Sequence, residues 1–185
     1  MASGGANRQA LSPAPRRVFF ALRPDAGLRA SLTQTARRMH HVLHGRRIRD
    51  ENLHLTLDFI GAVDAKNLPR LLAPPAGVFT PAFPFTLDDW GCWARNGIGW
   101  AAPSHMPAAL LDLAGNLEGW LRDAGFELER RPFMPHVTLV RDAQCMPLPE
   151  SLTPIEWRVR EFVLMQSQLL PGGAGYEILR AWPLE

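Results

Sequence analysis

Cysteine is scarce: Cys92 and Cys145 are the two in a chain of 185 residues. They form no C-x-x-C pair, which excludes a zinc ribbon and a disulfide framework, so reduced thiols are the expectation. No apolar run approaches the 18 or so residues of a membrane span. No short-period repeat signals a solenoid or propeller. Neither sign of charge dominates: 20 Lys and Arg against 18 Asp and Glu leave a net charge of +2. That balance permits an anionic ligand without demanding one. Metal-ligand spacing is also missing. His40 and His44 are four apart and could share a helix face, but no acidic motif accompanies them, so a solvated helix end is the expectation. Met1 to Pro15 is rich in Ala, Ser, Gly and Pro and has no apolar core of a secretory signal. It reads as a flexible tail, residues 16–185 as one domain, and the location as cytoplasmic.

The remaining composition is that of a globular protein, 46% apolar and 21% charged, enough to build a core without staples. Val18 to Leu22 predicts a buried first strand. Asp25 caps a helix with the stripe Leu28, Leu32, Ala36, Met39. A short basic strand spans Arg46 to Arg49, and Leu53 to Ile60 forms a clear strand stopping at Gly61. A helix is expected over Asp64 to Leu72, then a strand over Phe83 to Trp90. Asn96-Gly97 marks a hairpin turn into Ile98 to Ala101. The strongest helix runs from Pro107 to about Ala124, with stripe Leu110, Leu111, Ala114, Leu117, Leu121 and Gly125 just past its end. Phe133 to Val140 is a strand, Cys145 to Pro154 a loop, and Trp157 to Leu169 with Tyr176 to Trp182 a terminal hairpin. The order predicts an α+β fold. It has two lobes related by a pseudo-two-fold axis, largely antiparallel sheet, helices on the outer faces and a central cleft.

One pattern occurs twice, 82 positions apart: His54-Leu-Thr-Leu57 and His136-Val-Thr-Leu139. Residues i and i+2 of a strand share a face. Each copy therefore sets an imidazole beside a hydroxyl, with Leu53, Leu55, Leu57 and Phe59, or Val137 and Leu139, turned the other way. Asp58 is expected with His54 and Thr56, and Val140 with His136 and Thr138. Two strands brought together would surround one pocket with two histidines and two threonines. Histidine titrates near neutral pH, so one imidazole can accept a proton while the other donates one. A phosphodiester requires both, because water must lose a proton and the alkoxide must gain one. Thr56 and Thr138 can hydrogen-bond the non-bridging oxygens, and Arg141 can add charge-assisted contacts.

At these residues the chain resembles the two-histidine phosphoesterase superfamily, specifically the bacterial and archaeal RNA 2′,3′-cyclic phosphodiesterases once called 2′-5′ RNA ligases. The likeness is carried by Arg17 to Leu22, Glu51 to Leu57 with Phe59-Ile-Gly61, Arg131 to Arg141, Phe162 to Leu169, Pro171 to Gly173 and Tyr176 to Leu179. It implies a bilobal fold with both motifs in a central cleft. It also implies hydrolysis of a 2′,3′-cyclic phosphate at an RNA end to a 2′-phosphate, without metal or other cofactor. Carried over, His54 is the proton donor, His136 the proton acceptor, and Thr56 and Thr138 hold phosphate. Arg47 and Met134 depart from the family, which commonly has an aromatic and a basic residue there.

Other readings remain open. The same histidines could join RNA strands through a 2′-5′ linkage, or the cleft could bind nucleotide or RNA without turnover. A metal-dependent hydrolase lacks a convincing ligand cluster. The expected partner is RNA with a cyclic phosphate end or a cyclic nucleotide, and the expected state a monomer. Trp90, Trp93 and Trp100 suit either base stacking or packing. Arg46, Arg47, Arg49, Arg130 and Arg131 suit either a backbone funnel or a solvated rim. His105 reads as incidental, and Ser167 and Tyr176 as structural.

Overall fold

The computed structural model describes residues 14–73, 75–129, 131–148, 153–170 and 173–184. Among them the order is β1 (Arg16–Leu22), α1 (Ala26–Leu43), β2 (Arg46–Arg47), a 3₁₀ turn at Asp50–Asn52, β3 (Leu55–Val63) and α2 (Leu68–Leu72). Then come β4 (Phe83–Leu87), β5 (Asp89–Trp93), β6 (Ile98–Ala102), α3 (Ala108–Asp123), β7 (Val137–Arg141), β8 (Ile155–Val159), β9 (Glu161–Leu170) and β10 (Gly173–Pro183). No helix among the described residues is long and apolar enough to cross a membrane. Residues 1–13 and Arg130 lie outside the description, and with them most of the expected tail.

The mixed α+β reading holds. Eight strands form one sheet in the order β10-β9-β1-β3-β7-β6-β5, with β2 beside β7, and every pairing is antiparallel. A two-stranded ribbon pairs β4 with β8. The two motif strands are neighbours within the large sheet rather than members of separate sheets. They meet through a single pair, Leu55 with Val137.

Helix α1 forms where its signals lie. Asp25 caps it, its Oδ1 accepting from the Leu28 amide at 2.8 Å. Leu28, Leu32, Ala36, Met39 and Leu43 are buried at helical spacing. In α3 the buried stripe is Leu110, Leu113, Ala114, Leu117 and Leu121, while the expected Leu111 is half exposed. Both helices cover one face of the sheet, joining Val18, Phe20, Leu22, Leu55, Val137 and Leu139 in the main core. The opposite face carries a small cluster of Phe19, Ala21, Val163, Met165 and Tyr176.

Two expected strands are each divided in the structure. Between β4 and β5 the carboxylate of Asp88 accepts from the Ser104 amide and hydroxyl, both at 2.7 Å, and the chain passes from ribbon to sheet. Between β8 and β9 it passes the other way around Arg160. A periodicity of two continues through such a break, so the sequence pattern does not reveal it. The helix expected from Asp64 shrinks to Leu68–Leu72, because Pro69 fits the first turn and not an interior. β3 runs past Gly61, which takes a positive φ of 84° at an irregularity opposite Val18.

The cysteines are not free. Cys92 on β5 and Cys145 beyond β7 form a disulfide with Cα atoms 5.4 Å apart, within the range the bond requires. The expectation of two thiols failed because 53 residues of sequence separation say nothing about separation in space. Here the Ala143 amide donates to Gly97 O at 2.9 Å and draws the chain after β7 alongside the β5–β6 turn.

Candidate active site

Both motifs place the histidine at a strand's entry and the threonine inside it. His54 follows the 3₁₀ turn and precedes β3, and His136 precedes β7. Met134 and Pro135 before His136 are not in a strand, and Pro132 and Pro135 have no amide to donate to a ladder. The two strands enter antiparallel from opposite ends, so each histidine sits one residue before the Leu55–Val137 pair. His54, Thr56, His136, Thr138 and Arg141 all line one cavity of about 650 Å³ on the sheet face away from α1 and α3.

Each imidazole is held the same way. Nδ1 of His54 lies 2.6 Å from the Asn52 carbonyl, and Nδ1 of His136 lies 2.8 Å from the Met134 carbonyl. A carbonyl only accepts, so both Nδ1 atoms carry the proton, leaving each Nε2 with a lone pair. Asn52 is itself tied down, its side-chain amide donating to Ala174 O at 2.7 Å on β10. The ring of His54 packs against Phe19 and Tyr176, each at 5.0 Å between centroids. That of His136 meets the edge of Trp93 at 4.6 Å. Burial is the main cause that lowers both imidazole pKa values, that of His54 to about 4. Arg141 opposes protonation of both, and His136 opposes that of His54.

Arg141 reaches the cavity because of an extra residue in β7. The register pairs Ala101 with Val137 and Trp100 with Thr138, then Gly99 with Val140, skipping Leu139. Such a bulge reverses the alternation. Leu139 and Val140 are both fully buried, and Arg141 rejoins the face of Thr138. The expectation that Val140 faces the cleft is thereby corrected. A second bulge skips Leu57 in β3, where Phe20 pairs with Asp58 and Ala21 with Thr56. Beyond it Phe59 turns to the cavity and stacks on Phe19 at 6.1 Å. Asp58 takes the side of core residue Phe20, reversing both expected orientations.

The cavity's other cations are Arg16 and Arg17 of β1 rather than the anticipated basic stretch. Arg17 lies 5.5 Å from the Phe59 ring centre, and Arg16 donates to Gln166 at 3.2 Å. Arg46 pairs with Asp142 at 3.7 Å, Arg47 with Asp50 and Arg131 with Glu129, so those three serve as a paired rim. Sequence reasoning passed over Phe19, Asn52 and Arg17, and left Ser167 and Tyr176 as structural; the latter two line the cavity as well. Their signal lay in the strand order, since β1 pairs with β3 on one side and with β9 on the other. Of the tryptophans, Trp93 backs His136 and packs on Trp100 at 5.4 Å. His40 is spent on a hydrogen bond at 3.1 Å to Gly45 O, and His105 contacts the Ser104 hydroxyl and does not line the cavity.

This geometry can be set against known proteins. The model for the family described as LigT like Phosphoesterase matches residues 22–100 and 101–176, one stretch around each motif. The chain belongs to this phosphoesterase family. It is 33% identical over 171 residues to the RNA 2′,3′-cyclic phosphodiesterase of Escherichia coli, covering 92% of this chain and 97% of that one. The Thermus thermophilus protein of the same name is 29% identical, covering 91% and 90%. Among solved structures, Escherichia coli LigT complexed with 3′-AMP has a TM-score of 0.81 at 33% identity, covering 92% of this chain and 98% of that one. The chain is thus an enzyme of the phosphoesterase class, with the α+β fold of those relatives.

Proposed function

We propose that this phosphoesterase hydrolyses 2′,3′-cyclic phosphodiester ends of RNA to 2′-phosphomonoesters by acid–base catalysis between His54 and His136, without a metal. The observation that carries the reading is the matched pair of Nδ1–carbonyl contacts, which turns two identical Nε2 atoms to use in one cavity. In this reaction Nε2 of neutral His136 takes a proton from water as its oxygen attacks phosphorus. The bond from phosphorus to O3′ breaks, and protonated His54 delivers its proton to O3′. Two imidazoles exchange roles as the protons leave, and solvent resets them. Thr56 and Thr138 donate to the non-bridging oxygens, and Arg141 meets their charge. Every group needed stands on one chain, which supports action as a monomer.

Incubation with 2′,3′-cyclic AMP in EDTA tests the proposal. The expected product is 2′-AMP alone, at a rate unchanged by the chelator; 3′-AMP, or loss of activity restored by a metal, would overturn it. Thr56→Ala and Thr138→Ala should each cost about 1.5–3 kcal/mol, roughly 10- to 100-fold in kcat/KM, read from initial rates.

The pH dependence has a definite sign. Turnover needs His54 charged and His136 neutral, and kcat/KM reports the free enzyme. Burial lowers both groups below 6.5, His54 to about 4. With both groups below 6.5, the form that keeps His54 charged declines as pH rises past that point. So kcat/KM is expected to be highest on the acid side of pH 6.5 and to fall about tenfold per pH unit on the alkaline side. A bound phosphodiester anion favours both imidazolium forms, so the kcat profile should lie at higher pH. A flat kcat/KM from pH 6 to 9 would contradict the assignment.

A further inference from the structure

A second cavity, of about 620 Å³, opens from the first and shares with it Arg17, Thr56, Phe59 and His136. It exists because β3 and β7 meet at one residue pair only. Past Thr56 the strand and the segment leading to His136 splay apart, and α3 forms the floor. The two cavities differ in character. The first is basic, with Arg16, Arg17 and Arg141. The second is walled by Phe59, Phe133, Met134 and Leu111; of its three carboxylates, Glu118 pairs with Arg122 and Glu129 with Arg131, and Asp58 is the third. Three of its apolar residues, Phe59, Leu111 and Met134, are among the most exposed large hydrophobic side chains described. The floor has open space: apart from its chain neighbours and the backbone of its own helix, nothing comes within 4 Å of where a Cβ on Gly115 would stand.

We propose that this second cavity holds the base of the nucleotide bearing the cyclic phosphate, and that Asp58 selects guanine by accepting hydrogen bonds from its donor edge. The inference rests on the phosphodiesterase reading above. The phosphate belongs in the first cavity, which alone holds Thr138 and Arg141, whereas a flat heteroaromatic ring suits walls of phenylalanine and methionine. A carboxylate is acceptor-only, with two oxygens. The guanine edge offers N1–H and N2–H side by side, which match those oxygens. Uracil presents a single ring N–H between two carbonyls, and those carbonyls would face the carboxylate unfavourably. Burial, with Glu118 adding to it, raises the Asp58 carboxyl to about 6, so above neutral pH it is ionised and accepts. The bulge at Leu57 is what aims Asp58 toward α3 and this cavity, rather than toward the reacting phosphate.

The test compares kcat/KM for the 2′,3′-cyclic phosphates of guanosine, adenosine, cytidine and uridine at pH 7.5. The wild type should favour guanosine over uridine by at least about tenfold, the scale of a bidentate edge contact. Asp58→Asn should erase most of that ratio, lowering kcat/KM for guanosine and raising it for uridine as the carboxylate opposed to uracil's carbonyls is removed. Gly115→Leu fills the floor without touching the histidines and should raise KM for both purines more than for the pyrimidines. Calorimetry of 2′-GMP and 2′-UMP binding to His136→Ala reads the same preference without turnover. Base ratios near one in the wild type, or ratios indifferent to both substitutions, would overturn the assignment of the base site. Failure of all four substrates would instead overturn the phosphodiesterase reading.

Discussion

His136→Ala and His54→Ala are each expected to lower turnover of 2′,3′-cyclic AMP by about 10²–10⁴, the contribution of one proton-transfer partner. His136 meets a carbonyl at Nδ1 and the edge of Trp93 on its ring, and lines the cavity with both threonines. No other imidazole among the described residues lines that cavity beside this pair, so nothing replaces a lost one. Loss should appear in kcat and kcat/KM together, because the proton transfers occur only in the transition state. The double variant should fall little below the worse single one, since the two act as a unit. His54→Ala also removes a ring packed between Phe19 and Tyr176, so its melting temperature is to be measured beside its rate. Retention of wild-type turnover by either folded variant would sink the two-histidine mechanism.

Reduction of Cys92–Cys145, or Cys92→Ala, is expected to cost about 4 kcal/mol, the loop-closure value for a cross-link spanning 53 residues. For a chain of this size that is roughly 8–16 °C in melting temperature. The bond closes a loop that contains β6, α3 and all of β7, and so joins the β5 edge of the sheet to the chain just past Arg141. Trp93, which backs His136, is the next residue after Cys92. Thermal unfolding with and without dithiothreitol, monitored by circular dichroism, measures the effect. An unchanged midpoint, with free thiols verified by labelling, would mean that the bridge adds nothing to stability.

Much of the catalytic core could be read from residue order. The His-x-Thr copies announce themselves because period-two alternation needs only local geometry. The caps and stripes of α1 and α3 are equally local: Asp25 and the leucines four apart act within a few turns of chain. The rest depends on neighbours distant in sequence. Leu57 and Leu139 look like ordinary strand residues, yet partner strands that skip them turn Asp58, Phe59, Val140 and Arg141 to faces opposite to those alternation predicts. Leu111 reads as core and lies instead on the wall of the second cavity. Phe19 and Tyr176 become parts of the histidine's cage only because β1 stands between β3 and β9.

The sequence alone determined the reactive groups, two imidazoles and two hydroxyls in repeated strand frames, since backbone geometry sets the spacing of i and i+2. Tertiary structure decided which other side chains join them and which cysteines bond. Strand register and bulges are pairwise properties of separate segments, and no segment carries them by itself.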